Sequence, residues 1–152
     1  MIMIPVLILQ IFLFPLTASW LMNIWVDQRR TLALKDATSH LGSTLQQLYF
    51  SLNHTTVPAG KLTCSTGLPP FIEDQYYTGI AVLRSASSTE PNSSKFLEIT
   101  LTLATTKISV DSLTTLGPNV IWENSTFVSN SPTATAAAEK FPNGTISLSF
   151  EE

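Results

Sequence analysis

Charge is what this sequence has least of. Asp, Glu, Lys and Arg make up 12% of the 152 residues and the net charge is −3, so nothing resembles the basic patch that nucleic-acid binding needs. There is one cysteine, Cys64, which excludes an internal disulfide. There are two histidines, His40 and His54. No C-x-x-C, H-E-x-x-H, G-x-S-x-G or phosphate-cradling glycine loop occurs. His54 and Cys64 make a nucleophile pair only on paper, because no third group is at hand to orient the base. Cys64 therefore reads as a small, partly buried loop residue, with an intermolecular disulfide or a reactive thiol as its functional alternative. The acidic doublet Glu73-Asp74 has no metal-ligating company and reads as a solvated loop. The expectation is a protein that is not an enzyme, with no catalytic residue, cofactor or metal.

Apolar sequence is present in one long block. Met1 to Val26 is almost unbroken hydrophobe, weakly interrupted by Gln10, Thr17, Ser19 and Asn23, and the first formal charge is Asp27. As a helix this run spans about 39 Å, more than the roughly 30 Å of a bilayer core. A helix apolar all round must be covered on every side, by lipid or by other helices. Pro5 falls in the first turn, where its missing N–H breaks no bond, and Pro15 should bend the helix locally.

The helical pattern then continues with a change of character. Leu34, Ala37, Leu41, Leu45, Leu48 and Leu52 recur at steps of three and four residues, the period of a single apolar stripe. Lys35, Asp36, Ser39, His40, Ser43, Gln46 and Gln47 occupy the other face. The lone Gly42 costs about 1 kcal/mol and does not end the helix. The spacing predicts one helix over residues 1–52, roughly 75–80 Å long. Its first half is to be buried by partners, and its second half is laid along the chain's own head.

Residues 57–70 (VPAGKLTCSTGLPP) carry Pro58, Gly60, Gly67, Pro69 and Pro70 and read as a loop linker. Residues 71–152 read as a β-rich head. Strand patterns cover Gln75–Arg84, Lys95–Leu103, Ile108–Asp111, Asn119–Glu123, Thr126–Ser129 and Thr145–Phe150. Pro142-Asn143-Gly144 is a turn signal that makes Thr135–Lys140 the hairpin partner of the last strand, with a helical turn over Ala136–Lys140 as the alternative. Six or seven short strands predict a small antiparallel sandwich or strongly twisted sheet, one face of which receives the Leu34–Leu52 stripe. The fold class is α+β.

Ser and Thr make up about a quarter of the chain, well above ordinary usage. Four N-x-[ST] acceptors occur, at Asn53, Asn92, Asn124 and Asn143, all at the helix end or in expected turns of the head. Asn130 is excluded because Pro132 takes the third position. At least one of the four is expected to carry an N-linked glycan, against the plain alternative that Asn, Ser and Thr are turn-formers.

The N-terminus admits three readings. A signal peptide would have a basic start and a shorter apolar core. An ordinary anchor is long enough, but Arg29, Arg30 and Lys35 all follow the run, which would place the head in the cytoplasm. The third reading, a chain whose basic leader has already been removed, is favoured by the sequons and the Ser/Thr-rich head.

The whole-chain pattern, a wholly apolar N-terminal helix running into an amphipathic half and then a small Ser/Thr-rich β head with sequons, resembles an archaeal type IV pilin. The stretches Asp27–Asn53, Gly67-Leu68-Pro69-Pro70 and Leu116-Gly117-Pro118-Asn119 are similar to archaeal proteins of that kind. The likeness covers the full length and rests on architecture. It departs from the pattern in two ways: no basic leader is present, and position 5 is proline, where bacterial type IV pilins have a Glu near the mature N-terminus. The resemblance implies a filament subunit that is membrane-inserted before assembly and lies on the cell surface after it. Leu7, Ile11, Phe12, Leu13, Phe14, Leu16, Trp20, Leu21, Ile24 and Trp25 would then pack the filament core against copies of the chain. The alternatives are a single-pass surface glycoprotein or a pseudopilin-like component. A head that recognises a ligand, as in adhesion, is compatible with either.

Overall fold

The computed structural model describes residues 3–87, 89–90 and 92–152. Its first element is a single helix, α1, Met3–Leu52. The turns that follow the apolar run show why one helix survives a change of environment midway. Its hydroxyl side chains fold back on the preceding turn: Thr31 donates to the Asp27 carbonyl at 2.8 Å, Thr38 to that of Leu34 at 2.6 Å and Thr44 to that of His40 at 3.0 Å. Thr38 can therefore be fully buried without an unmet polar group.

Eight strands follow: β1 Gly60–Ser65, β2 Tyr77–Ser85, β3 Lys95–Leu103, β4 Ser109–Leu116, β5 Val120–Trp122, β6 Thr126–Val128, β7 Thr135–Lys140 and β8 Ile146–Glu151. They make two four-stranded sheets, in the orders β1-β7-β8-β5 and β4-β3-β2-β6. All pairings are antiparallel except that of β5 with β8. The fold is α+β, a long helix on a small, largely antiparallel β head. The second half of α1 lies against β3 and β4 of one sheet and β1, β7 and β8 of the other, while β2 meets β5 and β6 meets β8 on the far side. The helix is thus a wall of the sandwich, not a rod laid outside it.

One core results. Leu34, Leu41 and Leu45 from α1 are completely buried, with Ala37, Leu48 and Leu52 nearly so. They share a single cluster with Leu97, Ile99, Leu101 and Leu103 of β3 and Ile146 and Leu148 of β8. A side chain of this size contributes about 1.5–3 kcal/mol when fully buried. Gly42 has a packing reason: a Cβ there would stand 2.4 Å from Thr114 Oγ1, so its absence lets the helix approach β4.

Several sequence expectations change. Residues 57–70 are not loop throughout, because β1 lies inside them. Every residue of β1 is exposed, so no apolar alternation marks it, and pairing with β7 alone makes it a strand. Strand β4 runs on to Leu116 where the expectation stopped at Asp111, and the strands number eight. Ala136–Lys140 is strand, not a helical turn: it pairs with β1 on one side and β8 on the other, residues 136–138 are all buried, and Ala136 and Ala138 face the core that α1 shares.

Candidate assembly surface

From Ile4 to Trp25, α1 stands clear of the head. Among its large side chains, Phe14 is 76% exposed, Phe12 69%, Trp20 66% and Leu13 48%, and Ile24, the least exposed, still shows 37%. Leu7, Ile11, Leu16, Leu21 and Trp25 are exposed likewise. These 22 residues span about 33 Å of helix, carry no formal charge and include the one stretch among the described residues that is apolar enough to cross a membrane, none of it buried within the chain. An exposed apolar surface of this extent is a contact surface for lipid or protein.

Where that surface ends, the head fastens the helix. Ile72 and Gln75 exchange backbone hydrogen bonds of 2.8 and 3.1 Å around Glu73-Asp74. Both turn residues have positive φ, 45° and 64°, the conformation of a tight type I′ hairpin turn. Neither is glycine, so the turn stores strain that the surrounding contacts must hold. Glu73 meets Arg29 and Arg30, each at 3.5 Å, and Arg30 also meets Asp27 at 3.1 Å. The Arg29 guanidinium lies 5.1 Å from the Trp25 ring centroid, within cation–π range. Glu73 is exposed, as expected of a solvated loop, and its carboxylate also contacts α1. The turn lacks the Asn-Gly or Asp-Gly that would have revealed it.

Two tyrosines brace the head behind this junction. Tyr77 donates its hydroxyl to the Pro69 carbonyl at 2.6 Å, and burial pushes its phenol up to about 12. Ser129 accepts from the Tyr77 backbone N–H at 2.9 Å and donates to the Pro70 carbonyl at 2.8 Å, tying residues 69–70 to the sheet. At the far end of α1, Tyr49 donates to Asn119 Oδ1 at 2.6 Å, and burial raises this phenol as well. Asn119 Nδ2 donates to Asn53 Oδ1 and to the Gly144 carbonyl, each at 2.9 Å. The sequence marked Asn119 and Ser129 only as strand ends, and Asn119 also as part of Leu116-Gly117-Pro118-Asn119; their bracing hydrogen bonds were not legible because both lie beside short strands, in turns with many polar neighbours.

The chemistry-bearing residues do not converge. His40 and His54 are exposed, and His54 Nδ1 has Thr56 Oγ1 as its neighbour at 3.2 Å. Cys64 is exposed on β1, its thiol 3.4 Å from the adjoining Ser65 carbonyl. Among the described residues, no three His, Cys, Asp or Glu side chains gather as metal donors. Asn53, Asn92, Asn124 and Asn143 are all exposed. The chain matches no protein-family model, no curated protein and no solved structure.

Proposed function

We propose that the chain is the structural subunit of an extracellular filament of the archaeal type IV pilus kind. The observation that supports this reading is the contrast along α1: a 22-residue, uncharged and mostly apolar stretch whose large side chains are exposed on every side, continuous with a half that is core to a folded head. A bilayer covers such a segment before assembly, and copies of the same segment cover it afterwards. Removing this surface from water stabilises the assembly by about 25 cal/mol per Å². A helix-to-helix contact of this kind uses different faces of successive subunits, so it does not close and propagates as a filament. The Ser/Thr-rich heads then form the outer wall, and N-linked glycans attach there. No cofactor, metal or nucleic acid enters the account.

Leu13→Asp tests it. A carboxylate in the middle of the apolar half abolishes filaments seen by electron microscopy while the head of the full variant chain keeps its melting temperature; filaments of normal number and width would contradict the reading. A single-pass surface anchor is the second reading. It draws on the match between about 33 Å of helix and a bilayer core of about 30 Å, and on Trp20 and Trp25 at interfacial depth before Arg29 and Arg30. The anchor remains in the membrane fraction, needs detergent and yields no sheared filaments.

A further inference from the structure

The four sequons are not equivalent, and one is built differently from the rest. Phe141 to Thr145 forms the turn between β7 and β8. Phe141 N–H donates to the Thr145 carbonyl at 2.9 Å, Gly144 N–H donates to the Phe141 carbonyl at 2.9 Å, and Gly144 has φ of 84°. This is a three-residue hairpin loop, a type I turn closed by a glycine bulge, with Pro142 in the position where its fixed φ is favoured. Ala138 and Leu148, like Lys140 and Ile146, pair across the two strands, and Ala138, Leu148 and Ile146 are buried in the core. Strand alternation therefore sets Phe141 and Thr145 on the outer face of the sheet. Phe141 is half-buried there and belongs neither to the core cluster nor to the side chains packed on it. Beside it, Asn143 is exposed. Its Oδ1 accepts from the Thr145 N–H at 3.0 Å, which fixes the carboxamide and leaves Nδ2 without a hydrogen bond among the described residues.

We propose that Asn143 is an N-glycosylation site whose first sugar packs on the Phe141 ring beside Thr145. The inference rests on the extracellular reading of the head. The hydrogens on the apolar face of a pyranose carry partial positive charge and are attracted to the negative face of an aromatic ring. The turn presents acceptor and platform two residues apart in one rigid hairpin. Asn124 also follows an aromatic, Trp122, but that ring is engaged edge-on with Phe150 at 5.0 Å. Asn53 follows Phe50, but that ring belongs to α1 and is engaged edge-on with Tyr49 at 5.5 Å. Asn92 follows Thr89 and Glu90 and has no ring. In the transfer, Asn143 Nδ2 forms a bond to the anomeric carbon of a lipid-phosphate-linked oligosaccharide. The anomeric C–O bond breaks, the electron pair leaves with the lipid phosphate, and one amide proton passes to the transferase's base.

The test uses the full chain made in a cell that N-glycosylates its surface proteins. Glycopeptide mass spectrometry should find Asn143 occupied. Melting with and without the glycan should show a gain of a few degrees, cut by more than half in Phe141→Ala, while glycan-free Phe141→Ala melts near the parent. An unmodified Asn143, or a gain that survives Phe141→Ala, overturns the proposal. Electron microscopy of the same material keeps the two readings apart: filaments with a bare Asn143 sink only the site, and a glycosylated Asn143 on a chain that forms no filaments sinks only the filament.

Discussion

The two halves of α1 have the same backbone and opposite surroundings. Residues 34–52 place one stripe in the head, and the rest of that half meets water through hydroxyls, amides and a few charges. Residues 4–25 have no polar face to offer, and nothing among the described residues covers them. The helix continues out of the core without a break, and its exit is fastened by Glu73 to Arg29 and Arg30. The comparison teaches that folding of the head covers one half of the helix and leaves the other half uncovered.

Substitutions should separate the halves. The largest effect is that of Leu13→Asp, which removes assembly altogether and leaves the head's unfolding midpoint in place. The mirror change, Leu41→Ala, opens a cavity where the side chain is fully buried and lowers head stability by about 2–5 kcal/mol in chemical denaturation. If Leu13→Asp instead unfolds the head, the division between halves fails.

Alkali probes the head alone. Unfolded tyrosine titrates near 10 and Tyr77 in the fold at about 12. The neutral phenol is the form the fold prefers, so its stabilisation is whole below pH 10 and is lost as pH rises towards 12. Melting temperature should fall across that window, and Tyr77→Phe should flatten the fall. The smallest effect belongs to Glu73→Gln. Its ion pairs are partly exposed, so the change costs about 0–1 kcal/mol and the difference vanishes in high salt.

The sequence made the helix easy to read and the head harder. Leu34 to Leu52 repeat with a helical period and β3 alternates without a fault, so burial is written directly in residue type. Strand β1 has no buried face, and its identity comes from hydrogen bonds to β7 that no local pattern encodes. The β5–β8 parallel pair depends on how distant segments meet, which a pass along the chain does not reach. The contact of Glu73 with α1 was not legible because its turn forms from two non-glycine residues at positive φ, a conformation that propensity argues against. The surface at 4–25, in contrast, was visible from the start, since an apolar run without charge has no way to be satisfied alone.

The most direct measurement is cryo-electron microscopy of material sheared from the cell surface without detergent. The account predicts filaments whose density fits this chain, with residues 4–25 of neighbouring copies packed together at the centre and the β heads outside. A protein found only in membranes, released by detergent as single copies with no filament density, would contradict it.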